Sequence, residues 1–408
     1  MKTLIDRNQI FFVFERFPEN ADPSVLLEIE ELKNRGIPLE IVCLYSKTKD
    51  NGSESFRDTE GFVPHPDSHS GLSSLQRTLV FWFTRAIAMA SIMVTLIKEN
   101  YRRPAFLARI FLLLPRIAWI ASRVKKTGKS ILHSQDSALC APATWMISRL
   151  ANRPYLLTIS DSNGQKNGNG LKSPVSNARG MLTRSKRSKT SILNHFNGEL
   201  KAPIWLLYQS LRTEEPASVE HRDGQFTILV FCPKDLTNGF DGFVRACSML
   251  LDQRVMFKCV LIGEGPTYHR IESLVLDKSL EHMVSCLGAL PENEIMAWMA
   301  KSDVMVVPDL TNYNGNSVPT WVLNSMAMRL PIIAARGGVI EEVVKDFVSG
   351  ILVTPGDAIS LASAIHTLYY HPEIRCQLGS RAMQLVQSRF NLANNINLLE
   401  EIYRTIGD

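Results

Sequence analysis

Between residues 227 and 370, short apolar runs of strand length alternate with longer stretches of helical period in one unbroken series. The runs at 227–231, 257–262, 283–287, 304–308, 332–335 and 351–353 are each followed by a helical pattern, at 240–251, 267–277, 292–300, 320–328, 341–345 and 359–370. Near-continuous apolar strands are buried on both faces, and parallel neighbours need a crossover helix between them. The pattern therefore predicts an α/β fold with a doubly wound parallel sheet. The chain opens the same way: a run at 10–14, a helical pattern through Val25, Ile29 and Leu32 that stops at Arg35-Gly36, and a second run at 39–44. A run at 130–133, a helix over 138–150 and a run at 155–159 extend this first unit.

At 408 residues the chain exceeds what one hydrophobic core serves, so two domains of about 200 residues each are expected. Residues 212–225, with a proline, four acids and no apolar period, read as the linker, giving domains over 1–210 and 227–388 with a linker over 211–226. A composition 45% apolar and 21% charged excludes disorder throughout. The seven cysteines contain no Cys-x-x-Cys pair, which suits a reducing compartment and indicates neither disulfides nor a zinc site. The run at 10–14 is too short for a signal-peptide core, so the expected location is cytoplasmic. There is no repeat of solenoid period.

The net charge of +5 is modest, but the basic residues cluster. Over 76–129, eleven lysines and arginines face a single acid, Glu99. Residues 79–97 are long enough to span a thin bilayer, yet Arg85 lies inside that run, and a mid-membrane arginine costs about 2.5–3.5 kcal/mol. In the next stretch Phe106, Ile110, Leu113, Ile117 and Ile120 share one helical face, with Arg109 and Arg116 on another. The pattern fits a basic amphipathic pair lying on an anionic membrane surface, or core helices whose arginines snorkel to solvent; a transmembrane span fits least well. Residues 46–74 read as a polar loop, and residues 161–190 as a solvated loop with a basic helix. No aromatic residues interleave those charges, which argues against nucleic acid as a partner.

Several motifs of the second half stand in a fixed order: Gly263-Glu264-Gly265-Pro266, Leu287-Gly288-Ala289-Leu290-Pro291-Glu292, Ala300-Lys301-Ser302-Asp303-Val304, Pro308, Gly337-Gly338, and Gly350 through Asp357. Together with His371-Pro372, Gly379 and Arg389-Phe390 they resemble the nucleotide-sugar-binding half of a family 4 glycosyltransferase of the GT-B fold. Phe17-Pro18 and Leu32-Lys33-Asn34-Arg35-Gly36 are similar to the opening of exopolysaccharide-type members. The resemblance implies two Rossmann-like domains facing across a cleft, with a C-terminal helix at 389–408 crossing back to the first. It also implies metal-independent transfer from a nucleotide sugar to a glycan or lipid-linked acceptor in envelope polysaccharide synthesis, at the inner face of the plasma membrane.

By the same resemblance the donor set falls on Lys234, Asn238, Gly239, Gly263, Gly265, Leu290, Asn316, Ser317, Val318, Pro319, Asn324, Gly337 and Gly338. The acceptor side falls on His133, Asp136 and Ser160, and no metal is implied. Read by themselves, Asn238-Gly239 and Gly337-Gly338 are equally tight turns, and Glu264 and Glu341 are surface or capping residues.

The chemistry departs from the family. Members use an arginine and a lysine to neutralise the departing diphosphate, and those positions hold Pro233 and Asn238. The paired glutamates are replaced by Asn316 and Asn324, and a family histidine by Ser160. An amide keeps hydrogen-bonding reach but loses the charge that steadies an oxocarbenium-like centre. Losing one preorganised electrostatic donor costs about 10²–10³ in rate. The expectation is an impaired or inactive transferase that serves as partner to an active one. The alternatives are an active enzyme in which Lys234 supplies the missing charge, and a membrane-docked protein without catalysis.

Overall fold

The computed structural model describes residues 8–18, 21–45, 85–160, 172–196, 200–212, 224–234, 239–310 and 317–407. The predicted loop at 46–74, the start of the 79–97 run, most of the linker, Asn238 and Asn316 lie outside them. The chain divides into two compact units, Met1–Ser210 with Leu392–Asp408, and Leu211–Asn391.

The first unit is built on β1 (Gln9–Phe14), β2 (Leu39–Cys43), β3 (Ser130–Ser134), β4 (Tyr155–Thr158), β5 (Gly180–Thr183) and β6 (Ile204–Leu206), all parallel, in the order β2-β1-β3-β4-β5-β6. Its helices are α1 (Pro23–Asn34), α2 (Ala86–Asn100), α3 (Pro104–Lys126), α4 (Cys140–Ala151), α5 (Lys172–Ser176), α6 (Lys186–His195) and, from the end of the chain, α13 (Leu392–Gly407). Strand alternation separates two cores. Phe11 and Val13 join Ile92, Ile117 and Trp145, while Ile10, Phe12 and Phe14 join Ile29, Leu32, Leu399 and Tyr403. The sheet is thus covered on both faces, which is why its strands read as apolar runs.

Local signals explain the ends of α1. Asp22 accepts a hydrogen bond from the Ser24 N–H at 2.8 Å, Pro23 supplies the first-turn φ, and Gly36 leaves at φ +74°. Arg35 then links α1 to α13, donating to Asn397 at 2.6 Å and to Glu400 at 3.1 Å.

Two expectations need correction here. Residues 161–190 are not simply a polar loop and basic helix: β5 lies within them, and Arg184 at its end is buried against Glu28. Arg116 does not share an exposed face with Arg109. It is buried, donating from Nε to the Cys43 carbonyl at 3.0 Å with its guanidinium 4.4 Å from the Trp119 ring centroid. Among the described residues, α3 is long and apolar enough to cross a membrane, and 44% of its most apolar stretch is buried inside the unit.

The second unit contains β7 (Phe226–Cys232), α7 (Phe240–Asp252), β8 (Phe257–Gly263), α8 (Pro266–Asp277), β9 (Val284–Gly288), α9 (Glu292–Lys301), β10 (Val304–Val307), α10 (Thr320–Ala327), β11 (Ile332–Ala335), β12 (Gly350–Val353), α11 (Ala358–Tyr370) and α12 (Pro372–Arg389). The sheet runs β12-β11-β10-β7-β8-β9, all parallel. Counted from β7, this is the dinucleotide-fold order 3-2-1-4-5-6, whose direction reverses between β7 and β10. The predicted helix at 341–345 is instead a 3₁₀ turn, Gly338–Glu342.

Candidate functional site

In an open parallel sheet, ligands bind outside the carboxyl ends of the strands where the strand order reverses. In the second unit that point lies beyond β7 and β10. Pro233 and Lys234 follow β7, and Pro308 and Asp309 follow β10. A shallow pocket there is lined by Gly239, Gly242, Pro308, Thr354, Gly356 and Asp357, among others.

Glycines make the close approaches this edge requires. Gly239 sits at φ +85° as the residue before α7, and a β-carbon on it would meet the Pro308 carbonyl and Asp309 Cβ at 2.8 Å. At Gly263 the clash would be with the Cys232 carbonyl oxygen at 2.1 Å, so β7 and β8 can pair here only without a side chain. Gly265, at φ +95°, brings Lys234 alongside: the lysine Cγ is 3.3 Å from where a β-carbon would be. Gly337 and Gly338 turn the chain out of β11 at φ +126° and +67°.

Four of the helices that begin on this edge share a second property. None of α7, α8, α9 or α10 has a side-chain hydrogen bond at its N-cap. By contrast, Asp357 caps α11 by accepting from the Ile359 N–H at 3.0 Å. Helix starts without a side-chain cap leave first-turn N–H donors for other acceptors, apart from Glu294 and Val322, which donate to the Pro291 and Pro319 carbonyls, and the helix dipole adds positive potential there.

Every described member of the predicted donor set lies on this carboxyl edge or the helix that leaves it. Lys234, Gly239, Gly263 and Gly265 surround the β7 and β8 ends, Leu290 follows β9, Ser317, Val318 and Pro319 lead into α10, and Gly337 and Gly338 follow β11. Asn324 is half-buried on α10, and Trp321 of that helix stacks on Phe231 of β7 with ring centroids 5.3 Å apart. The side chain of Lys234 is exposed. Arg336, beyond β11, is engaged with Asp346 at 2.9 Å.

Sequence reasoning missed the buried Asp309 and the pocket-lining Thr354 and Asp357. The signal was the polar residues just past the apolar runs of β10 and β12, at the carboxyl end where ligands approach.

The first unit has its own reversal point, between β1 and β3. Asp136 and Ser160 lie at the carboxyl ends of β3 and β4, and Ser137 donates to the Glu15 carboxylate beyond β1, a pair the sequence reading did not single out. His133 does not belong with them. Its ring is fully buried, with Nδ1 2.7 Å from the Tyr403 hydroxyl and Nε2 2.8 Å from the Thr158 hydroxyl. Burial, assisted by the Arg184 charge, lowers its pKa to about 3, so the ring is a neutral brace between the sheet and α13. Arg184 is likewise internal: it donates to both oxygens of Glu28, at 2.6 and 2.8 Å, and Ser210 donates to the same carboxylate at 2.8 Å.

Comparison with known proteins agrees with this geometry. Residues 212–385 match the family model described as glycosyl transferases group 1. The amylovoran biosynthesis glycosyltransferase AmsK of Erwinia amylovora is 30% identical over 171 residues, 41% of this chain and 42% of that protein. The chain thus spans less than half the length of this curated relative. Among solved structures, a glycosyltransferase from Rickettsia africae superposes with a TM-score of 0.68 at 15% identity, covering 98% of this chain and 99% of that one. Anabaena HepE in complex with UDP superposes with a TM-score of 0.66 at 15% identity, covering 97% and 100%. These superpositions carry the fold: two parallel-sheet, Rossmann-like α/β domains of the GT-B type. The likeness to glycosyl transferases group 1 thus falls on residues 212–385, inside the second compact unit.

Proposed function

We propose that this protein is a glycosyltransferase-type protein of cell-envelope or exopolysaccharide synthesis that binds a nucleotide sugar and transfers its sugar poorly or not at all. The observation that carries the reading is a carboxyl edge that keeps the glycine turns and uncapped helix N-termini a diphosphate requires, while α10 presents the amide of Asn324 where the resemblance expects a carboxylate. AmsK is named for amylovoran biosynthesis, and HepE was solved with UDP, which supports the substrate class.

The reading divides binding from chemistry. Backbone N–H groups at the starts of α7, α8 and α10 hold phosphate oxygens without any side-chain charge. Breaking the glycosidic bond needs more, because charge grows on the leaving diphosphate and on the sugar, and uncharged amides oppose neither. The acceptor is a glycan or lipid-linked sugar, met at the cytoplasmic face of the membrane, where an active transferase partner completes the reaction.

Isothermal titration with UDP, GDP and their sugars, with product analysis in parallel, separates the two halves of this reading. Binding without donor consumption supports it, and rapid turnover by the purified protein overturns it. A second reading rests on Lys234, whose exposed side chain lies along the Gly265 turn at the start of α8 and is placed to neutralise a phosphate. In that case the enzyme is active and Lys234→Ala abolishes transfer with the fold intact; unchanged transfer in the variant removes the reading.

A further inference from the structure

One buried side chain of the second unit ties two turns of its carboxyl edge together. Tyr268, in the first turn of α8, is 3% exposed, and its hydroxyl accepts a hydrogen bond from the Gly288 N–H, at the end of β9, at 2.7 Å. The Cys286 thiol is a second partner of the same hydroxyl. The strand is irregular at this point: Leu261 pairs with Cys286 but Ile262 pairs with Gly288, so Leu287 is an extra residue and stands exposed. Such bulges end pairing and re-aim the chain beside ligand sites.

Packing does little to fix this turn. Gly288 holds φ +73°, and apart from its chain neighbours nothing lies within 4 Å of where its β-carbon would stand. Ala289 and Pro291 are exposed, and α9 begins without a side-chain cap. The conformation of residues 288–291 therefore rests on glycine's backbone freedom and on the Tyr268 hydroxyl. In the 3-2-1-4-5-6 order β7 is strand 1, β8 strand 2 and β9 strand 3. A nucleotide on such a sheet puts its phosphates at the helix start after strand 1 and carries its nucleoside toward strand 2 and beyond. Here α8 starts after strand 2, and the Gly288 turn follows strand 3. A nucleobase edge presents donors and acceptors in one plane, and the N–H and C=O groups of a fixed turn can match them.

We propose that Tyr268 is a positioning residue for nucleobase recognition: it holds residues 288–291 in the conformation in which their backbone meets the base of a nucleotide whose phosphates sit at the helix starts. Being buried, Tyr268 does not touch the ligand and acts through Gly288. The inference rests on the donor reading above and adds to it the part of the ligand that this turn recognises. Phosphates and base then belong to different parts of the edge, and one can be weakened without the other.

The test is isothermal titration of the full-length wild type, Tyr268→Phe and Gly288→Ala with UDP, GDP and inorganic pyrophosphate. Phenylalanine keeps the buried ring and removes the hydroxyl, while alanine strains the turn from its other side at φ +73°. Expected is a nucleotide affinity about 5-fold weaker in Tyr268→Phe, near the net contribution of one hydrogen bond, with pyrophosphate affinity unchanged. Gly288→Ala should show the same split, and the circular dichroism of both variants should match wild type. Equal losses toward nucleotide and pyrophosphate would mean a merely structural role and overturn the proposal, as would unchanged nucleotide affinity in both variants. Should Tyr268→Phe not fold, Gly288→Ala decides by the same outcomes. A wild type that binds nucleotides no more tightly than pyrophosphate overturns this inference alone, because the base then adds nothing. One that binds none of the three overturns the donor reading and this inference with it.

Discussion

At the carboxyl edge of the first sheet, charged and hydrogen-bonding side chains turn inward on one another, as in the Arg184–Glu28–Ser210 group and the His133 ring held by Tyr403 and Thr158. The same edge of the second sheet carries glycine turns and helix starts without side-chain caps. Two sheets of one general architecture thus assign their polar groups differently: in one they hold the end of the chain in place, and in the other backbone donors remain for a ligand. A buried polar side chain is therefore a poor guide to function here, and an exposed backbone N–H is a better one.

The comparison breaks most visibly at the buried pair. Arg184→Ala leaves the Glu28 carboxylate without its guanidinium in the interior, and chemical denaturation should show a loss of about 3–5 kcal/mol. A loss near zero would mean that the pair is solvated and the contrast between the edges is not real. In the second unit the largest effect should come from Gly263→Ala, whose new methyl meets the Cys232 carbonyl oxygen at 2.1 Å. About 3 kcal/mol is expected from overpacking against backbone, together with weaker nucleotide binding.

A subtler effect concerns pH. His133 is neutral in the folded protein down to a pKa of about 3, whereas the unfolded chain binds that proton below its ordinary value of 6.5. Between those values the unfolded state holds more protons, so stability is present above pH 6.5 and is lost as pH falls toward 3. At pH 5 the loss should be about 2 kcal/mol, and thermal melts of His133→Asn should lack that slope. The smallest effect should come from the exposed Arg270–Asp241 pair, 3.0 Å apart, where Asp241→Ala should change stability by less than about 1 kcal/mol.

Legibility in the sequence followed burial. The elements of the second unit as far as α11 were readable to within a residue or two because its strands are apolar on both faces and its helices amphipathic; the exceptions are the Gly338–Glu342 turn, whose two glycines favour a tight bend over a regular helix, and α12, marked in the sequence only by isolated motifs. In the first unit β5 was hidden because its four residues, Gly-Met-Leu-Thr, are short and flanked by arginines and lysines. Arg116 was misassigned because helical period alone cannot tell an outward arginine from one that reaches a strand carbonyl inside. His133 looked like a ligand-facing residue because the strand end is where such residues stand, yet its partner Tyr403 lies 270 positions away in the chain. Conversely, the glycines at the second sheet's carboxyl edge were legible as turns because they reflect backbone constraint rather than side-chain partners.

The most direct measurement is single-turnover donor consumption by wild type and by an Asn316→Glu/Asn324→Glu double variant, using whichever UDP- or GDP-sugar binds. With the framework intact and only charge missing, wild type should bind the donor but consume it slowly, and the double variant should gain about 10²-fold or more in rate. Rapid consumption by wild type, with no gain on restoring the carboxylates, would contradict the account.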